Sequence, residues 1–135
     1  MRFEEFKNKT ILITGAASGI GKAQAAGFLA NGAYVIGLDL QEATIDHECY
    51  THYIGSVTDA ELIKKIAGEY TIEILCNTAG ILDNYTKSLD TDEALWDRIF
   101  NVNIKGMYIV TNAILPKMLA QNKGIIINMT SIAGL

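Results

Sequence analysis

The sequence predicts an α/β fold with a doubly wound, mostly parallel sheet, and three observations predict it. Short apolar runs rich in β-branched residues alternate with helix-like segments along the chain, as βαβ crossovers require. Runs such as Ala33-Tyr34-Val35-Ile36-Gly37-Leu38 and Ile125-Ile126-Ile127 are nearly continuous in their hydrophobicity, which suits strands covered on both faces. The first run, Thr10–Thr14, leads into a turn with glycines at 15, 19 and 21 and then a helix-like segment, Lys22 to Asn31. That succession is the front half of a nucleotide-binding βαβ unit. The expected strand order is 3-2-1-4-5, with a ligand at the carboxyl ends of the strands.

The elements follow in order. Residues 1–9 read as a polar lead-in, and Thr10–Thr14 as the first strand. A helix is expected over Gly19–Asn31, with Gly32 placed for a C-terminal cap. Ala33–Leu38 is the second strand, ending at Asp39, and Leu40–Cys49 is a loop with at most a short helix. Tyr50–Ile54 is the third strand. Thr58-Asp59-Ala60-Glu61 has the form of a capping box, with Thr58 as N-cap of a helix reaching about Tyr70 and burying Leu62, Ile63 and Ile66. Ile72–Cys76 is the fourth strand, followed by a loop from Ile81 to Leu89. Asp90-Thr91-Asp92-Glu93 starts a long or kinked helical region reaching Ala120, with Gly106 and Pro116 as its points of distortion. Gly124–Met129 is the fifth strand.

One domain over residues 1–135 is the expectation from length. Half the residues are hydrophobic and one is proline, a composition for a packed core. A net charge of −4 without a basic block argues against a nucleic-acid partner. No apolar run is long enough to span a bilayer, and the N-terminus carries acids where a signal peptide has an apolar segment; a cytoplasmic protein is the expectation. Cys49 and Cys76 read as two free thiols. The cluster His47-Glu48-Cys49-Tyr50-Thr51-His52 lacks a fourth ligand and a zinc spacing. It reads as a loop entering a strand, and no metal site is expected.

The glycines have physical reasons. Gly15 lets the chain turn sharply off its strand. Gly19 and Gly21 are expected to clear side chains where a pyrophosphate approaches the helix start, whose free N–H groups and positive dipole end favour an anion. The loop Thr14-Gly15-Ala16-Ala17-Ser18-Gly19-Ile20-Gly21 has G-x-x-x-G-x-G spacing and resembles the cofactor loop of the short-chain dehydrogenase/reductase family. Asn77-Thr78-Ala79-Gly80 resembles the family's Asn-Asn-Ala-Gly motif, with Thr78 for the second asparagine. Asn103, in Asn101-Val102-Asn103-Ile104-Lys105-Gly106, matches the asparagine of the family's long fourth helix. Ser131, in Asn128-Met129-Thr130-Ser131, falls on its catalytic serine.

The resemblance, from Thr10 onward, implies a Rossmann-type domain and hydride transfer between a nicotinamide and an alcohol or ketone, 3-oxoacyl reduction being one such reaction. It implies that Thr14, Gly15, Ser18, Gly19, Ile20, Gly21, Asp39, Leu40, Ser56, Val57, Asn77, Thr78, Ala79 and Gly80 bind the cofactor, that Asn103 and Ser131 serve catalysis, and that the protein is a homo-oligomer. Asp39 can accept hydrogen bonds from the adenosine ribose hydroxyls and repel a 2′-phosphate, and no Lys or Arg stands next to it, so NAD is expected over NADP. Its alternative is a solvated strand-end carboxylate. Ser56-Val57 stands where the family usually has Asp-Val, which takes a charge from that contact. The family's Tyr-x-x-x-Lys motif follows its fifth strand, and none of the six tyrosines here stands four residues before a lysine. The expectation is therefore a cofactor-binding portion, truncated at its C-terminal end and inactive alone, from an oxidoreductase. A non-catalytic dinucleotide sensor is the alternative. A methyltransferase is disfavoured by the Asn77 and Ser131 motifs.

Overall fold

The computed structural model describes residues 3–132. The two ends of the expected 1–135 domain, residues 1–2 and 133–135, lie outside the described residues. Five parallel strands, β1 (Thr10–Thr14), β2 (Tyr34–Asp39), β3 (Tyr50–Ile54), β4 (Ile74–Asn77) and β5 (Ile125–Asn128), form one sheet in the order β3-β2-β1-β4-β5. Ile11 of β1 stands opposite Val35 of β2 and Ile74 of β4, Val35 opposite Tyr50, and Ile74 opposite Ile125. This is the order the sequence predicts.

The pleat sends successive side chains to opposite faces. Ile11 and Ile13 pack with Val35, Ile74 and Cys76 beneath helix α1 (Gly19–Ala30), through its Ala25 and Leu29. Leu12, Ile36, Leu38 and Leu75 pack on the other face against Ile63 and Ile66 of α2 (Ala60–Glu69) and Val110, Ile114 and Met118 of α4 (Gly106–Ala120). With both faces covered, the central strands can be apolar at every position. The outer strand β5 is less covered, with Ile125 55% and Ile127 39% exposed. Cys49 and Cys76 are free thiols, and burial pushes the Cys76 thiol up to about 11.

Helix α1 ends in a Schellman cap. Gly32, at φ +82°, donates to the Leu29 carbonyl and Ala33 donates to that of Phe28. The lead-in is less polar than its sequence implies. Glu4–Phe6 makes a single 3₁₀ turn, and the Phe6 ring meets Phe28 edge-to-face at 5.2 Å, extending the core under α1.

Three expectations need correction. The N-cap of α2 is Asp59, not Thr58: the Asp59 carboxylate accepts from Leu62 N–H at 3.1 Å, while the Thr58 hydroxyl pairs with Ser56 Oγ at 2.7 Å. An anionic acceptor at the positive helix end is the stronger cap. The fourth strand begins at Ile74 rather than Ile72, because the Glu73 carboxylate folds back to accept from Thr10 N–H at 2.9 Å. The long helical region consists of α3 (Glu93–Phe100), a π-helical turn (Asn101–Lys105) and α4, which runs unbroken through Pro116. Its distortion sits beside Gly106, whose N–H donates to the Asn101 carbonyl five residues back. A Cβ on Gly106 would collide with Val57, so glycine lets the helix close on the β3–α2 loop.

Candidate cofactor cleft

A cleft of about 360 Å³ opens where the carboxyl ends of β1, β2 and β4 meet, at the topological switch point of the sheet. Four short segments build its walls. The β1–α1 loop supplies Gly15, Ser18, Gly19, Ile20 and Gly21. The end of β2 supplies Asp39 and Leu40, and the β3–α2 loop Ser56 and Val57. The segment after β4 supplies Thr78, Ala79 and Gly80. Leu38, Gln41, Gly55, Ile81 and Val102 complete the lining, none of them expected from the sequence to bind a cofactor.

The three glycines do different work. Gly15, at φ +73°, would place a Cβ 2.9 Å from Ala79 Cα, so it serves both the turn and the contact with the β4 loop. Gly19, at φ +54°, has open space where its Cβ would be. That leaves room for a ligand at the start of α1, where the N-cap Ser18 makes no side-chain cap hydrogen bond. Gly21 differs from the expectation of clearing space for a pyrophosphate. It is buried, and a Cβ there would strike the Gly15 carbonyl. Its role is to seat α1 on its own loop.

Asp39 stands at the end of β2 with both carboxylate oxygens engaged. Oδ2 accepts from Ala17 N–H and Oδ1 from Gln41 N–H, each at 2.9 Å. Each oxygen has a second lone-pair site, and the residue lines the cleft. No lysine or arginine is among the described residues lining it.

Thr14 and Asn77 lie beneath the walls rather than on them. The buried Thr14 hydroxyl accepts from the N–H groups of Thr78 and Ala79, both at 3.0 Å, and ties the β4 loop to β1. Thr78 adds a second tie, donating to Gln24 Oε1 on α1 at 2.6 Å. Asn77 Nδ2 donates to Thr111 Oγ1 at 3.1 Å and Asn128 Oδ1 at 2.9 Å, joining β4 to α4 and β5. Its own Oδ1 is buried and unpaired among the described residues.

The π turn explains the placing of Asn103. Its Oδ1 accepts from Ile81 N–H at 2.8 Å and its Nδ2 donates to the Ile81 carbonyl at 2.9 Å, so one amide holds both polar groups of that residue. Ser131 lies exposed past the carboxyl end of β5, beyond Asn128 and Met129. Gln24, Thr111 and Ile81 had no motif to mark them; their parts emerge only from the contacts that the sheet order creates.

The chain is similar to proteins of one kind. A rat protein, Dehydrogenase/reductase SDR family member 6, is 41% identical over 134 residues, covering 94% of this chain and 54% of the rat protein. The 3-oxoacyl-[acyl-carrier-protein] reductase FabG of Thermotoga maritima is 36% identical over 149 residues, covering 100% of this chain and 59% of that protein. The crystal structure of a short chain dehydrogenase from Leptospira borgpetersenii with bound NAD+ matches with a TM-score of 0.90 at 27% identity, over 98% of this chain and 55% of that one. The chain thus spans about half the length of the curated relatives it matches. The short chain dehydrogenase family model matches residues 9–135, taking in the cleft, the Asn103 clamp and Ser131, and the chain belongs to that family.

Proposed function

We propose that the protein carrying this chain is an NAD-dependent oxidoreductase acting on an alcohol or ketone, 3-oxoacyl groups among the candidates, and that residues 1–135 are its dinucleotide-binding part. The observation that carries the reading is the Asp39 carboxylate at the end of β2, held against the glycine loop by Ala17 N–H at 2.9 Å. The residues fit the cofactor: open space at Gly19 for a pyrophosphate, a positive helix end behind it, and an anionic acceptor for ribose hydroxyls at the far wall. The NAD+ in the Leptospira relative supports a dinucleotide ligand, and no lysine or arginine stands among the described residues lining the cleft to hold a 2′-phosphate.

When bound, the nicotinamide supplies hydride chemistry. This chain's residues orient and hold. Gly19 and the first turn of α1 take the pyrophosphate, Asp39 the adenosine ribose, and Leu40 and Val57 flank the base. Asn103 fixes the Ile81 backbone, a wall of the cleft. The Ser131 hydroxyl donates a hydrogen bond to the substrate oxygen. A serine hydroxyl is a poor proton donor near neutral pH, so the proton moves through another group. Residues 1–135 contain no Tyr-x-x-x-Lys and alone are proposed to bind without turnover.

The test is NADH formation from secondary alcohols by the protein as its gene encodes it. Turnover with NAD, lowered about 10²–10³-fold in Ser131→Ala as for loss of one oxyanion donor, is expected. Tight NAD binding with no turnover on any alcohol or ketone would favour the sensor instead.

A further inference from the structure

Strand β3 brings two side chains toward the cleft that no motif accounts for. Tyr50 and His52 are two residues apart and so lie on one face of the strand, the α1 face. Tyr50 fills the space that Gly37 of β2 leaves open: a Cβ on Gly37 would collide with the Tyr50 hydroxyl, and would stand 2.9 Å from Ala16 Cβ of the glycine loop. The phenol is therefore tucked under that loop. Its hydroxyl lies 2.7 Å from His52 Nδ1, and His52 Nε2 lies 2.9 Å from the Gln41 carbonyl.

The chemistry fixes the direction of each bond. A carbonyl oxygen only accepts, so His52 Nε2 carries the hydrogen. Nδ1 of the neutral ring is then bare and accepts from Tyr50. Burial, and secondly the Asp39 carboxylate, push the Tyr50 phenol up to about 12, so it keeps its proton well past neutral pH. The Gln41 backbone is thus held at both ends: its N–H by Asp39 Oδ1 and its C=O by His52. A run of hydrogen bonds joins the outer strand β3, through Gln41 and Asp39, to Ala17 of the glycine loop. Thr44 closes the same loop from its other side, donating to the Ala17 carbonyl at 2.6 Å.

We propose that His52 is a positioning residue for the adenosine end of the cofactor, holding the Leu40–Gln41 wall so that the Asp39 carboxylate meets the ribose in one orientation. This rests on the cofactor reading above. His52 touches no ligand itself; it acts through Gln41, and Tyr50 sets its tautomer.

The experiment is calorimetric titration of NAD and of ADP-ribose into the protein as its gene encodes it, unmutated and as His52→Phe, His52→Gln and Tyr50→Phe, with thermal melts of each. Phenylalanine keeps the ring and loses both hydrogen bonds. The Kd for NAD and for ADP-ribose is expected to rise by the same factor, about three- to tenfold. Glutamine, whose amide nitrogen can still donate to the Gln41 carbonyl, is expected to return the Kd to within about twofold of the unmutated value. A role in packing alone would not be rescued this way. His52→Phe binding as tightly as the unmutated protein, or His52→Gln binding as weakly as His52→Phe, overturns the proposal. Should His52→Phe fail to fold, Tyr50→Phe decides: freed of its Nδ1 donor, the ring samples both tautomers, and a rise of about twofold or more is expected, no rise being contrary. An unmutated protein that binds neither ligand brings down the cofactor reading and this inference together. Binding by the unmutated protein without a His52 effect brings down the inference alone.

Discussion

Two glycines in one loop are held in place by different demands. Gly21 is closed in by the Gly15 carbonyl, whereas Gly19 faces open space with a left-handed backbone. Gly21→Ala is expected to overpack the loop at about 1–3 kcal/mol and to lower the melting temperature. Gly19→Ala meets no atom and costs about 1 kcal/mol in backbone strain, but puts a methyl where the pyrophosphate is proposed to lie. Thermal melts and NAD titration of both variants check this. Gly21→Ala should melt lower and Gly19→Ala should lose more of its remaining affinity, and the reverse order would contradict these assignments. Spacing alone marks both glycines as loop residues but does not say which faces a ligand, because that depends on where the Gly15 carbonyl points. The capping site shows the same limit. Thr58 and Asp59 are neighbours that both favour N-caps, and the choice was made by Ser56, which engages the Thr58 hydroxyl.

At the scale of elements, strand identity and sheet order were legible because central strands announce themselves as continuous apolar runs and glycine turns separate them. The lead-in was not, because Phe6 stands among charged residues and its partner Phe28 is 22 positions away. The π turn left a trace: the apolar stripe Leu95, Ile99, Val102, Met107, Val110, Ile114 steps by five between Val102 and Met107, one residue more than an α-helical repeat of three or four allows. That extra residue is what presents Asn103 to Ile81. Asn103→Ala removes both hydrogen bonds to Ile81, and a loss of about 1–3 kcal/mol in stability is expected by chemical denaturation. Asn103→Asp should do no better, since a carboxylate keeps the acceptor for Ile81 N–H but turns a negative oxygen toward the Ile81 carbonyl. A fully stable Asn103→Asp would show that the clamp is not what holds this wall.

At the scale of the whole molecule, one sheet carries two unequal surfaces. The carboxyl edge gathers the cleft, while α3, the π turn and α4 present an apolar face to solvent. Trp96 and Phe100 stack at 4.5 Å, and they and Ile104 and Tyr108 are each 45–64% exposed. A subunit contact would cover a surface of this kind, as the homo-oligomer implied by the family resemblance requires. Trp96→Glu is expected to shift the protein as its gene encodes it to a smaller species in light scattering, and an unchanged mass would place the subunit contact elsewhere.

Asp39 is proposed to make the cleft an NAD site, and one calorimetric comparison checks this: the Kd for NAD and for NADP, in unmutated protein and in Asp39→Ala. A charge-assisted hydrogen bond is worth about 1.5–3 kcal/mol, so NAD is expected to bind more tightly than NADP, and the substitution to weaken NAD about tenfold or more and to narrow the gap. NADP binding as tightly as NAD, or more tightly, to the unmutated protein would contradict it.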